Sequence, residues 1–178
     1  MSAPPRRAIA GWPGTAARLV LGGVWVVAGA LKLPDPAEAV RAVRAFRLLP
    51  EALVGPVAFG VPVVEIAIGL ALLAGVGVRL AAGGAAVLLT VFIAALVSAW
   101  ARGLTIDCGC FGGGGAVEAG QTAYAWDLLR DTALLTVALA LARWPYSRLA
   151  LVDRARGPAH HTHRDDAEGT AVDSSAAS

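Results

Sequence analysis

Cys108 and Cys110 stand one glycine apart in the stretch Asp107-Cys108-Gly109-Cys110-Phe111-Gly112, and the chain of 178 residues holds no other cysteine. Two thiols this close can brace the chain as a disulfide, hold a soft metal ion, or pass a disulfide to another protein. Disulfide geometry wants Cα atoms roughly 4.4–6.8 Å apart. A single spacer reaches that only with strain, and Gly109 is the residue best able to take the unusual backbone angles required. Closing so short a loop removes little chain entropy, so the bridge would brace almost nothing. Strained, exposed disulfides exchange more readily than structural ones. The spacing therefore favours exchange, with Cys108 and Cys110 as the reacting residues. Two thiolates also suit a soft ion such as Cu(I), but a structural zinc takes four ligands. The remaining soft donors, His160, His161 and His163, lie in a polar tail on the opposite predicted face, so no metal is assigned to the pair.

A second set of reactive groups lies within apolar sequence. Glu65 sits about 10 residues from the outer end of its segment, roughly 15 Å deep at ~1.5 Å per residue. An ionisable group near mid-bilayer is costly and is by default a functional-site hypothesis. Arg130, roughly 6–9 Å inside the last apolar segment from the same face, is the expected partner of Glu65. Asp127 and Asp131 are one turn apart and share a face of that helix. Two readings stay open: a polar pocket beneath the cysteine loop, or a purely structural clasp between helices.

These groups are positioned by a chain that is 57% hydrophobic and 16% charged, with a mean hydropathy of +0.64. Soluble domains carry about 25% charged residues, so the bilayer is the expected solvent. The abundant Ala and Gly are what let membrane helices approach closely. The net charge is only +2, and no clustered basic face of the kind nucleic acid requires is present.

Residues 1–14, which contain Pro4, Pro5, Pro13 and Gly14, read as a flexible lead. Arg6-Arg7 ahead of the apolar run Leu19–Leu31 resembles a secretory or twin-arginine signal, but further apolar segments follow, which favours an uncleaved first membrane helix. That first span runs from about Ala16 to Leu33, with Arg18 and Lys32 snorkelling to the two interfaces. Pro34-Asp35-Pro36 stops it. Ala37–Leu49 reads as an amphipathic helix, with Arg41, Arg44 and Arg47 every third residue; it lies on the membrane surface or is a solvated connector. A second span covers about Val54–Val78, a third Leu80–Ala101 with Trp100 at the interface, and a fourth Tyr124–Trp144. The fold expected is an all-α integral membrane four-helix bundle spanning residues 15–145, with a short amphipathic helix between spans 1 and 2. Residues 146–178 lack the apolar content to fold alone.

Arg6, Arg7, Arg18, Arg79, Arg143, Arg148, Arg154, Arg156 and Arg164 fall on one side of this topology, and Lys32, Arg41, Arg44, Arg47 and Arg102 on the other. The positive-inside rule puts both termini in the cytoplasm of a bacterial plasma membrane. Cys108 and Cys110 then lie on the extracytoplasmic face, where disulfides form and persist.

Lys32-Leu33-Pro34-Asp35, Leu48-Leu49-Pro50, Glu65, the Asp107–Gly112 stretch and Arg130-Asp131 together resemble the methylamine-utilisation MauE family, within the DoxX-like four-helix membrane proteins. The resemblance covers about residues 15–145 and implies a four-helix membrane protein. Its namesake is associated with maturation of a periplasmic, disulfide-rich methylamine dehydrogenase alongside a thioredoxin-like partner. In that light Asp107, Gly109, Phe111, Gly112, Glu65, Arg130, Asp131 and Lys32 support Cys108 and Cys110. The function expected is disulfide exchange with, or support of oxidative maturation by, an extracytoplasmic thioredoxin-like protein. The alternatives are a non-catalytic membrane scaffold or maturation factor, and a metal or small-molecule carrier using the Glu65 pocket. A single cysteine pair leaves the other half of any redox relay to another molecule, and no cofactor is assigned.

Overall fold

A computed structural model describes residues 7–109, 114–116, 118 and 122–144, with the side chains of the first helix described from Trp12 onward. The elements are α1 (Arg7–Lys32), α2 (Pro36–Ala45), α3 (Glu51–Ala74), α4 (Val78–Ala101), β1 (Ile106–Asp107), β2 (Gly115–Ala116) and α5 (Tyr124–Arg143). The tail with its three histidines lies outside the described residues, as do Cys110, Phe111 and Gly112.

The fold is all-α, with one two-stranded hairpin. The 21-, 24- and 24-residue stretches Trp12–Lys32, Glu51–Ala74 and Val78–Ala101 are long and apolar enough to cross a membrane. At ~1.5 Å per residue each exceeds the roughly 30 Å hydrocarbon core. Their outward faces keep Val20, Phe59, Leu70 and Val87 exposed, a surface that suits lipid rather than water. The fourth long helix, α5, falls short of that standard because Asp127, Arg130 and Asp131 occupy its first two turns. The two aspartates are buried inside the bundle.

Two expectations for the first helix need correction. Residues 7–14, expected in a flexible lead, are helical: α1 begins at Arg7 and carries Pro13 within it. Ala8, Ile9, Ala10 and Trp12 continue the apolar sequence backwards, and helices of this class tolerate an internal proline. Arg18 does not snorkel outward but is 1% exposed.

The helices pack as two antiparallel pairs, α1 on α3 and α4 on α5, joined along the α3–α4 seam. Close approach in the first pair is made by missing side chains. A Cβ on Gly69 would lie 2.8 Å from the Gly22 carbonyl oxygen, and one on Gly29 would lie 2.8 Å from the Pro62 carbonyl oxygen. The shared core is Leu21, Trp25, Leu72, Ala82, Ala85, Leu89 and Ala138. Between α3 and α4, Gly75 takes the left-handed conformation (φ 71°) that a helix C-terminus favours.

α2 is the short helix expected between the first two spans, and one face of it packs on the bundle. Asp35 caps it by accepting from the Glu38 amide at 2.8 Å, and Pro36 opens it, where the lost N–H would be an orphan anyway. Its small residues let it lie against α3 and against β2, with Ala42 buried. Arg44 pairs with Glu51 at the start of α3, and that hydrogen-bonded carboxylate holds the guanidinium above its ordinary pKa. Arg102, at the end of α4, donates to the carbonyls of Phe46 (2.6 Å) and Ser98 (3.0 Å). It thereby ties the α2–α3 connection to the same end of the bundle as the cysteine stretch.

Candidate functional site

The residues after α4 form a hairpin rather than an irregular loop. β1 and β2 are antiparallel, Ile106 opposite Ala116 and Asp107 opposite Gly115. Ile106 is buried against Leu96, Ala99 and Tyr124. The Tyr124 hydroxyl donates to the Leu104 carbonyl at 2.6 Å and accepts from the Ile106 amide at 3.3 Å. Its ring stacks on Trp100, with centroids 6.1 Å apart. One tyrosine at the start of α5 therefore fixes both the base of the hairpin and its distance from α4.

Past β1 the chain turns at Gly109, whose φ of 65° lies in the region glycine takes without strain. The Asp107 carboxylate accepts from the Gly109 amide at 3.4 Å. Gly114 packs so closely on Gly109 and Ala42 that a Cβ there would sit 2.8 Å from each. The turn is thus held on α2 from one side and on α5 from the other.

Cys108 is half-buried at this turn. Arg130 Nη2 donates to its sulfur at 3.8 Å. The same guanidinium pairs through Nη1 with Asp127 at 3.1 Å and through Nε with Asp131 at 2.9 Å. Asp127 and Asp131 do share a face, and what they share it for is Arg130. A planar fork with fixed donor directions suits this three-way arrangement better than an ammonium would. Chemically, a cation fixed beside a sulfur stabilises a thiolate or a departing sulfur during exchange.

Asp107, Cys108 and Asp127 also bring a ligand atom each within 4.8 Å of one another. Arg130 already occupies the Asp127 carboxylate, so this group reads as an ion-pair network and not as a cation site.

The expected Glu65–Arg130 pair is not formed. Glu65, 1% exposed, accepts from Lys32 Nζ at 2.6 and 2.8 Å, and Arg130 serves Asp127 and Asp131 instead. Lys32 turns inward rather than snorkelling. The physical reason is the stagger of the helices. Glu65 lies 14 residues into α3, and the close crossing at Gly29 delivers the end of α1 to that depth. Lys32 is one turn beyond Gly29 and meets Glu65 directly.

Two cavities connect these groups. A small one, about 20 Å³, is lined by Trp25, Glu65, Phe92 and Asp131 among others, enough room for one water molecule. The buried Trp25 indole N–H has no hydrogen-bond partner among the described residues. The larger cavity, about 250 Å³, runs from Lys32 past Phe92 and Asp131 to Cys108 and Gly109. Of the residues singled out in the sequence, Lys32, Glu65, Cys108, Gly109 and Asp131 line these two cavities, with Asp107 and Arg130 bonded to the turn that carries Cys108. Tyr124, Trp25 and Arg102 were not anticipated. A tyrosine opening a helix just after a reactive loop was the available signal for the first.

No solved structure matches this chain. The methylamine utilization protein MauE of Paracoccus denitrificans is 40% identical over 129 residues, 71% of this chain and 67% of that protein. The family model described as methylamine utilisation protein MauE matches residues 10–144, from α1 through the last helix. The chain belongs to the MauE family of membrane proteins.

Proposed function

We propose that this protein exchanges disulfides through Cys108 and Cys110 with an extracytoplasmic thioredoxin-like protein. In this reading α5 is a fourth span, the bundle sits in a bacterial plasma membrane, and both termini are cytoplasmic. The hairpin then faces the oxidising side. The observation that carries the reading is the Arg130 guanidinium, 3.8 Å from Cys108 Sγ and held there by Asp127 and Asp131. A cation fixed at a sulfur by two buried carboxylates suits a reacting sulfur better than a structural one. Cys108 is the sulfur that attacks or is attacked, and Cys110 resolves the mixed disulfide. The name of the Paracoccus relative supplies a setting, methylamine utilisation, in which an exported protein would be matured.

The test is to trap the mixed disulfide in cells. A Cys110→Ser variant should accumulate a disulfide-linked species with an exported Cys-X-X-Cys protein, resolved by reductant, and Cys108→Ser should not. The reading fails if alkylation finds both thiols permanently reduced in cells. It fails equally if replacing both with serine leaves the partner's oxidation unchanged.

A further inference from the structure

We infer that the cavity enclosed by α2, α3 and α4 binds a lipid-soluble quinone, and that this quinone is the two-electron acceptor for the Cys108/Cys110 pair. The inference rests on the exchange reading above and supplies the acceptor that one cysteine pair cannot provide for itself.

The walls come first. The cavity, about 250 Å³, is lined by Phe46, Val61, Val91, Phe92 and Leu96, and is overwhelmingly apolar. Val91 is also 56% exposed on α4, so the mouth opens on the side that faces lipid. An occupant therefore arrives from the bilayer and is itself apolar.

The polar groups narrow the class. Lys32 spends two N–H bonds on Glu65, and an ammonium has three. The third is available to an acceptor in the cavity, with Phe92's ring centroid 5.9 Å from the nitrogen. Asp35, Glu38 and Asp131 also reach the lining, and at the far end Cys108 and Gly109 line the same cavity. A phospholipid acyl chain would suit the walls but would leave both the ammonium and the sulfur without a use. A quinone is planar and apolar, carries carbonyl oxygens that accept hydrogen bonds, and accepts two electrons.

The step balances. The two thiols of Cys108 and Cys110 lose two protons and two electrons and form an S–S bond. The two carbonyl oxygens of the quinone gain them, giving the hydroquinone, which leaves by the mouth it entered. The oxidised pair then passes its disulfide to the extracytoplasmic dithiol, and the cycle repeats.

The experiment uses the full chain in lipid nanodiscs, reduced, freed of reductant and mixed anaerobically with decylubiquinone, with absorbance reporting quinol. Wild type should form one quinol for each thiol pair lost. Val61→Trp, which fills the cavity, and Val91→Trp, which blocks the mouth, should slow this about tenfold or more, ~1.4 kcal/mol in the barrier. Val87→Trp, on the lipid-facing side of the same helix and outside the cavity, should match wild type. Cys108→Ser should still bind the quinone saturably and form no quinol. No quinol from wild type, equal rates in all three tryptophan variants, or binding displaced by phospholipid would overturn the inference. Mixed-disulfide trapping without quinone reports separately on the exchange reading. Trapping without quinol formation sinks only the quinone; quinol formation without trapping sinks only the protein partner.

Discussion

Lys32 at the end of α1 and Glu65 in the middle of α3, 33 residues apart in sequence, form a two-pronged ion pair inside the bundle. Neither charge would be stable there alone. Removing one partner of a buried pair costs about 3–5 kcal/mol, because the survivor keeps its desolvation penalty without its attraction, whereas replacing both is often far milder. Lys32→Met should therefore lower the thermal midpoint in detergent sharply, and Lys32→Met/Glu65→Gln should recover most of the loss. If the double variant is as unstable as the sum of the singles, the pair is not coupled as the geometry requires.

The sequence carried three of the spans, the cysteine stretch and the buried ionisable groups, because composition and proline positions report on those directly. It did not carry the pairing of those groups. The depth estimate for Glu65 assumed helix ends level with one another, which points to Arg130. In the structure α3 runs 14 residues beyond Glu65 toward its start, and α2 occupies the space that α1 leaves beside it. Stagger is set by the glycine crossing, a tertiary property that neither helix reveals by itself. The hairpin was missed for a related reason. Two residues per strand leave no alternating pattern to read, and the pairing depends on Tyr124, 18 residues beyond Ile106.

The crossing itself can be tested with one methyl group. Helical Gly→Ala normally gains up to about 1 kcal/mol. At Gly69 the new Cβ would stand 2.7 Å from Val26 Cγ2 and 2.8 Å from the Gly22 carbonyl oxygen, the latter backbone that has no rotamer to change. Overpacking of this kind costs about 1–3 kcal/mol, so Gly69→Ala should destabilise. Gly23→Ala and Gly60→Ala meet nothing within 4 Å and should be neutral or mildly stabilising. Equal midpoints for all three would remove the glycines as the cause of the close approach.

Tyr124→Phe keeps the ring on Trp100 and removes only the hydroxyl. The Leu104 carbonyl and the Ile106 amide then lose their shared partner, a loss of about 1–3 kcal/mol if they stay buried. The hairpin should loosen while the helices hold. Amide exchange at Ile106 should accelerate by an order of magnitude or more, with helical amides in α4 unchanged. Uniform acceleration across the bundle would instead mark Tyr124 as a general core residue.

Arg130 makes opposite demands on its neighbours, and this separates its chemical effect from structural damage. The guanidinium stabilises a thiolate at Cys108, whereas the Asp127 carboxylate, gathered within 4.8 Å of the same sulfur, opposes it. In a Cys110→Ser background Cys108 is the single thiol, and its alkylation rate at fixed pH reports the balance. Asp131→Asn weakens the hold on Arg130 Nε and should slow alkylation severalfold. Arg130→Met should slow it about tenfold, equivalent to ~1.4 kcal/mol. Asp127→Asn should quicken it, because an opposing charge goes while Asp131 still holds the guanidinium. Unfolding would expose the sulfur and raise all three rates together. Slowing at Asp131 and Arg130 with quickening at Asp127 is the signature of a cation placed to serve the sulfur, and three changes of one sign would remove that role from Arg130.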